Sequence, residues 1–563
     1  MSVSAISSLV TPTPNASSGS RRSADFHPTV WGDYFVQYAL EPMEVDEITK
    51  RQIITLKEKV SKMLVPINAK AFRPLTQANL IDSVQRLGLY YHFEREIGEV
   101  LQHIHNSYVE NGIITLNEDL CSLALLFRLL RQQGYYISPD VFKKFKNEEG
   151  KFNETIITDV EGMLSSYEAA HLRIHGEDIL DEALGFTSSH LELMTTQLSP
   201  SLAAKVNHSL KRPLRKNVSR LVARHYISTY EEDPSHDESL LLFAKLDFNM
   251  LQKQHQKEVG IISKWWKDMD FATKVPFARD RIVEDYFWTL GVYFEPQYSL
   301  GRRLMTKAIS MVSIIDDIYD VHGTFEELHV FTEAIDRWDI SCLEFLPDYM
   351  KFCYQALLDV FQEIEQEMAK EGRGFCVKYV INEVKRLAKV YFAEAKWLNN
   401  NYTPTMEEYL DTALVSCGYH CITAVAFIGM GCIATEEAFK WLTNDPKIVT
   451  ASKVICRLMN DVVSNEIELK RGNNVSSIEC YMKQHGVTKQ DAIEELNRRV
   501  TSAWKDINEE FLDPAEMPKP LLRVALNLSR VIHVLYKDED GYVHSKGSTK
   551  DDIASLLLNP CSL

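Results

Sequence analysis

Ile314-Ile315-Asp316-Asp317-Ile318-Tyr319-Asp320 closes an apolar run that begins near Leu304. Leu304, Ala308, Met311, Val312 and Ile315 recur at helical spacing along one face, so the stretch predicts a buried helix that ends in three carboxylates. Asp316 and Asp320, four residues apart, project from the same face of such a helix. Carboxylates left unneutralised on an apolar helix repel one another and are costly to desolvate, so metal, basic partners or solvent must meet them. The pattern suits a hard cation. Alone, it fits a solvated helix end equally well.

Composition bounds the rest. At 563 residues the chain exceeds one ordinary core, and two large domains are expected. Hydrophobic residues at 45% and aromatics at 10% mark a globular protein, and sparse Gly and Pro favour helix. A net charge of -17 argues against nucleic-acid partners, which need clustered Lys and Arg for counterion release. An anionic substrate therefore needs local cations. The ten Cys are scattered without a C-x-x-C pair, which points to a reduced compartment. Met1 to Ser20 is Ser/Thr-rich and uncharged, with no apolar core, so it does not read as a secretory signal; a short transit peptide is the alternative.

From Thr412 to Thr435 no residue carries a formal charge, a length that spans a bilayer. The stretch contains Gly418, His420 and Gly429, is flanked by Asp411 and Glu436, and lacks a positive cluster nearby, so no transmembrane segment is expected. It reads as a central buried helix, interrupted around Cys417-Gly418, where free carbonyls from Ser416 to Gly418 face a cavity.

Along the chain, residues 1–22 read as a flexible tail and order begins near Trp31. Helical periodicity then runs in segments to about Ser235, where the polar stretch Tyr230 to His236 suggests a junction. A second helical series fills 236–563 and holds every chemical motif. Strand-length alternation is scarce and no repeat of fixed period is visible. The expected fold class is all-α, with two helical domains over 23–235 and 236–563.

A second oxygen-bearing stripe lies in Arg457-Leu458-Met459-Asn460-Asp461-Val462-Val463-Ser464-Asn465-Glu466-Ile467-Glu468. Asn460, Ser464 and Glu468 fall at i, i+4 and i+8, drifting only about 80° over two helical turns. One carboxylate with two neutral oxygens is a weak cage. It suits Mg²⁺, which keeps waters and is completed by substrate phosphates.

The pair of motifs, D-D-x-x-D at Asp316 to Asp320 and [ND]-D-[LIV]-x-[ST]-x-x-x-E from Asn460 to Glu468, resembles the class I plant terpene synthases. The likeness extends to Arg279-Asp280-Arg281 and to Arg21-Arg22 followed by Trp31. It implies a carboxy-terminal helical bundle that carries catalysis and an amino-terminal α-barrel-like domain. The implied reaction is Mg²⁺-dependent ionisation of a prenyl diphosphate, with three Mg²⁺ and Mn²⁺ as a substitute. Asp316 and Asp320 then hold two ions and Asn460, Ser464 and Glu468 the third, while Asp317 pairs with a basic residue instead.

Arg279, Arg281 and Arg457 fit a diphosphate clamp, since guanidinium forks bind phosphate oxygens bidentately. By the same resemblance Trp288 is a pocket wall offering cation-π stabilisation. Tyr536, Asp540 and Tyr542, in Leu535-Tyr536-Lys537-Asp538-Glu539-Asp540-Gly541-Tyr542, match the family's carboxy-terminal lid, as aromatic walls or a terminal proton acceptor. Only 20 residues precede Arg21, as in the cytosolic sesquiterpene-forming branch, so farnesyl diphosphate is the expected substrate and geranyl diphosphate the alternative. The resemblance further implies a monomer whose only partner is this small molecule. A non-catalytic helical scaffold is the competing class.

Overall fold

Side-chain caps set helix starts where the sequence offers Asp or Thr. Asp119 Oδ1 accepts from the Ser122 N–H at 2.8 Å, and Asp237 accepts from Ser239 and Leu240. Thr324 with Glu327 and Thr405 with Glu408 form capping boxes. The computed structural model describes residues 24, 26–41, 47–65, 72–111, 119–472, 475–512 and 517–563. Arg21, Arg22 and the tail expected over 1–22 lie outside these described residues.

The first half contributes α1 (Glu47–Leu64), α2 (Pro74–Arg86), α3 (Glu94–Asn111), α4 (Leu120–Gln133), α5 (Val160–Ala170), α6 (Asp178–Met194), α7 (Pro200–Lys211) and α8 (Ser219–Glu232). The second begins with α9 (Glu238–Met269), α10 (Phe271–Lys274), α11 (Ile282–Val292), α12 (Ser299–Asp317), α13 (Phe325–Arg337), α14 (Asp348–Lys370) and α15 (Val377–Asn399). It continues with α16 (Met406–Ser416), α17 (Tyr419–Ile428), α18 (Glu436–Thr443), α19 (Lys447–Lys470), α20 (Ser477–His485), α21 (Lys489–Leu512), α22 (Lys519–Tyr536) and α23 (Ser548–Leu557). Among the described residues the sole β pairing is an isolated bridge, Lys146 to Phe152. The fold is all-α.

The polar stretch at 233–237 is the turn between α8 and α9. The halves are nonetheless joined by one continuous apolar core and by polar ties. Arg212 grips Asp552 bidentately at 2.6 and 2.8 Å, and Asn508 accepts from Arg215 while donating to the His171 and Arg173 carbonyls. The segment Tyr34–Leu40 packs on α9, as α1 does. Gly260 makes room for it: a Cβ there would sit 2.7 Å from the Ala39 nitrogen.

Helices α11, α12, α15, α16, α17, α19 and α22 surround a central cavity. Leu304, Ala308, Met311 and Ile315 on α12 are buried as their spacing predicts, while Val312 is partly exposed and lines the cavity. Arg302 at the start of α12 forms a bidentate pair with Glu258 of α9 (2.7 and 2.8 Å), and Tyr286 of α11 donates to the same carboxylate at 2.8 Å. Burial works against ionisation of Glu258, but the Arg302 guanidinium outweighs it and holds the carboxyl well below its usual range. Two helices that line the cavity, α11 and α12, are thereby locked to α9 away from it.

Met406–Ile428 is the one helical stretch among the described residues that is long and apolar enough to cross a membrane; 78% of its apolar window is buried inside the protein. It breaks where the sequence reading places the interruption. Gly418 takes φ +77°, a left-handed conformation that suits glycine, and separates α16 from α17.

Candidate active site

The α-helix of α12 ends at Asp317 and the chain continues through one π-helical turn, Ile318–His322, closed by Gly323 N–H to the Ile318 carbonyl at 2.8 Å. The sequence reading had one uninterrupted α-helix here; the wider turn resets the register at Asp320. Asp316 and Asp320 both line a cavity of about 250 Å³. Asp317 does not share their setting. It is 1% exposed and accepts from the Arg279 N–H at 2.8 Å, with Arg279 Nε 2.8 Å from its Oδ1. Burial raises its carboxyl to about 6, with the Asp316 charge adding to the rise and Arg279 opposing it. Asp317 is thus the partner of a basic residue, as expected.

Across the cavity α19 presents Asn460, Ser464 and Glu468, while Asp461 in the same wall accepts from Tyr409 Oη at 2.8 Å and Ser477 N–H at 3.0 Å. Ser464 Oγ donates to the Asn460 carbonyl at 2.8 Å, and Glu468 pairs with Arg471 at 3.2 Å. Among the described residues no three His, Cys, Asp or Glu side chains converge into a ready-made metal cage. The donors are two carboxylates on one wall and Asn, Ser and Glu on the other. Such a hard-oxygen set fits a cation that keeps waters and shares phosphate oxygens.

Arg279 and Arg457 flank these walls. Arg279 Nη2 lies 2.5 Å from Asp316 Oδ2. Arg457 donates to the Ala413 carbonyl at 3.2 Å and to Ser416 Oγ at 2.9 Å, and Ser416 Oγ donates onward to Glu394 at 2.6 Å. Burial raises the Glu394 carboxyl to about 7 against the pull of Arg457. Glu394 escaped the sequence reading because nothing in its local pattern separates it from other helix acids.

Arg281 corrects the expectation. It is 2% exposed and absent from the cavity wall; its guanidinium donates to the carbonyls of Tyr542 (2.9 Å), Val543 (2.8 Å), His27 (3.1 Å) and Asp280 (2.8 Å). Opposite neighbours in sequence from Asp280, the two arginines face different ways. Arg281 ties the carboxy-terminal segment to the amino-terminal one, and Arg279 alone of the pair faces the carboxylates.

The cavity floor is aromatic. Trp288 meets Tyr419, Tyr536 and Tyr542 edge-on, with ring centroids 6.1, 6.3 and 5.5 Å away. Its Nε1–H donates to Tyr419 Oη at 3.1 Å, and Tyr419 donates to the Leu528 carbonyl, which fixes the indole plane. Asp540 accepts from the Tyr542 and Val543 N–H groups, shaping the turn that lays Tyr542 over the cavity. Tyr542 Oη reaches Asp285 Oδ1 and Ser313 Oγ, both at 2.9 Å. Burial pushes Asp285 up to about 7, although Ser310 and Tyr542 hydrogen-bond to it.

Two features were not foreseen. Phe26 lines the mouth with Arg279 and Arg471 over its ring at 5.3 and 4.9 Å, bringing the amino-terminal segment to the site. At the helix break, the Gly418 carbonyl accepts from Ile422 N–H at 2.9 Å and so is not free, which corrects that part of the carbonyl expectation; Ser416 and Cys417 do line the cavity.

Residues 30–210 match the family model for the terpene synthase N-terminal domain, and residues 267–506 match that for the terpene synthase family metal binding domain. The chain belongs to the terpene synthase family. This terpene synthase is 53% identical to a (-)-germacrene D synthase from Vitis vinifera over 561 residues, covering 100% of both chains. It is 50% identical to a valencene synthase from the same species, covering 99% of each. Its structure resembles that of isoprene synthase from grey poplar, solved with three Mg²⁺ ions and dimethylallyl-S-thiolodiphosphate, at TM-score 0.85 and 35% identity, covering 95% of this chain and 99% of that one. The protein is an enzyme of the lyase and cyclase type, and the scaffold alternative falls.

Proposed function

We propose that this terpene synthase is a Mg²⁺-dependent sesquiterpene synthase that ionises farnesyl diphosphate, releases diphosphate and cyclises the farnesyl cation. One observation carries the reading: two stripes of oxygen donors face each other across a cavity whose floor is aromatic. The names of relatives matched over nearly their full length, germacrene D synthase and valencene synthase, support a fifteen-carbon substrate.

Asp316 and Asp320 would hold two Mg²⁺ and Asn460, Ser464 and Glu468 a third, with Mn²⁺ as a substitute. The bound ions supply Lewis acidity to the departing diphosphate. Arg279 and Arg457 orient its oxygens through charged forks. Trp288, held edge-on by three tyrosines, presents a π-face that stabilises the cation without a nucleophile to capture it. Tyr542 and Phe26 cover the mouth against water, and Asp540 or Tyr542 accepts the final proton.

Incubation of the purified protein with farnesyl or geranyl diphosphate and Mg²⁺, followed by gas chromatography with mass detection, tests substrate and class together. A cyclic fifteen-carbon hydrocarbon or alcohol from farnesyl diphosphate is expected; turnover of geranyl diphosphate alone overturns the reading. Free thiols at all ten cysteines support a cytoplasmic location, to be checked with a fluorescent fusion against the plastid alternative. A monomer is the proposed state, to be checked by light scattering.

A further inference from the structure

Asp285 is a buried carboxyl one hydrogen bond away from the catalytic cavity. It lies on α11, 2% exposed, three residues before Trp288, and is itself absent from the cavity wall. Tyr542 connects it to that wall: the Tyr542 Oη stands 2.9 Å from both Asp285 Oδ1 and Ser313 Oγ. Ser310 Oγ donates to the other carboxyl oxygen, Oδ2, at 2.7 Å. A tyrosine has one hydroxyl proton; given to the carboxylate, it leaves Ser313 as the donor in the second contact. Tyr542 Oη then keeps one lone pair for the contents of the cavity, which Tyr542 and Ser313 both line.

Among the described residues no ion pair reaches Asp285. Arg279 acts on it through space and is paired with Asp316 and Asp317 instead, while Glu284 on the same helix adds like charge. A buried charge held by hydroxyls alone is costly, and burial accordingly raises this carboxyl to about 7. One helix sets both ends of the device. The Trp288 ring lies 5.5 Å from that of Tyr542, so the hydroxyl is anchored beside the π-face. Asp540, the other carboxyl of the turn, has its Oδ1 engaged by the Tyr542 and Val543 N–H groups at 3.1 and 2.9 Å.

We infer that Asp285 is the proton sink of a relay in which Tyr542 takes the terminal proton from the cyclised cation. The inference rests on the proposed function. A C–H bond beside the cationic carbon breaks, its electron pair becomes the new π bond, and the proton joins Tyr542 Oη. The Tyr542 hydroxyl proton passes in the same motion to Asp285 Oδ1, so the phenol stays neutral and the carboxylate becomes a carboxylic acid. Once the alkene has left, the proton returns through Tyr542 to solvent, which a carboxyl near 7 permits at neutral pH. Asp285 acts through Tyr542 and is a positioning residue: it fixes where the base stands, and so which C–H bond is lost.

The test incubates the full-length protein with farnesyl diphosphate and Mg²⁺ in H2O and in D2O, and reads every product by gas chromatography with mass detection. In the wild-type protein the ratio of the main alkene to all other products should change by about twofold in D2O, because the Tyr542 hydroxyl proton moves in the step that decides it. Asp285→Asn still offers Tyr542 an acceptor but cannot take its proton. The main alkene's share should fall about tenfold, in favour of alcohols and isomeric alkenes, and the D2O effect should vanish. Tyr542→Phe keeps the ring and should reproduce that profile, and the double variant should add nothing further. An unchanged product ratio in Asp285→Asn, or a slower variant with the D2O effect intact, would make Asp285 a mere pin for the lid and overturn the relay. Should Asp285→Asn fail to fold, wild-type products from Tyr542→Phe overturn it instead. Turnover of neither farnesyl nor geranyl diphosphate overturns the proposed function and the relay together, whereas turnover with unaltered ratios overturns the relay alone.

Discussion

Arg279 Nη2 lies 2.5 Å from Asp316 Oδ2, so the arginine proposed to orient the diphosphate also holds a carboxylate proposed to bind metal. The same guanidinium pairs with Asp317 through Nε at 2.8 Å. On the proposed function, Mg²⁺ at Asp316 would weaken that carboxylate's hold on Arg279 and free the fork for phosphate, while Asp317 keeps the arginine anchored. Metal and substrate binding would then be coupled through one side chain.

The two neighbouring aspartates should separate cleanly on mutation. Asp316, 29% exposed, is expected to tolerate Asp316→Asn with less than about 1 kcal/mol lost in urea unfolding, yet turnover should fall by roughly a hundredfold or more. Asp317→Ala leaves the Arg279 charge short of its buried partner and should cost about 3 kcal/mol of stability. Equal stability losses for both would contradict the division of roles.

Trp288→Leu removes the π-face while leaving an apolar floor. Loss of about 2 kcal/mol of cation stabilisation corresponds to a kcat lower by roughly thirtyfold. The product mixture should shift toward acyclic and alcohol products, read by gas chromatography. An unchanged product profile at normal rate would place the cation elsewhere in the cavity.

Arg281→Ala should behave as a loosened latch. Its four carbonyl partners span Asp280, His27 and the Tyr542–Val543 lid, so cleavage by a protease between residues 537 and 547 should quicken and KM should rise more than kcat falls. The same substitution at Arg279 should chiefly lower kcat. Identical kinetics for both variants would restore Arg281 to the clamp.

Asp285 gives the fold a pH signature. Burial raises its carboxyl from 3.8 to about 7, so the folded state binds a proton more tightly than the unfolded one. This contribution is present in full below the unfolded value and is lost as pH rises through about 7. Glu394 and Glu168, also raised to about 7 by burial, act in the same direction. In metal-free buffer, Asp285→Asn should make the fall in stability over this window shallower by about 1.4 kcal/mol per pH unit, measured from urea midpoints. A slope identical to wild type would mean that Asp285 is ionised throughout.

The sequence by itself determined the helical class, the two oxygen stripes and the broken central helix. Each depends on spacing within a single element: Asp316 to Asp320, Asn460 to Glu468, and a glycine that interrupts an uncharged run. Periodicity is local, and a chain states it directly.

Tertiary structure alone decided which charged groups share an environment. Arg279 and Arg281 are two residues apart, yet one faces carboxylates and the other holds carbonyls more than 250 positions away in the chain. Glu394, Asp285 and Phe26 acquire their roles by the same route. Desolvation and hydrogen-bond partners are set by what packs against a side chain, and those neighbours come from distant elements.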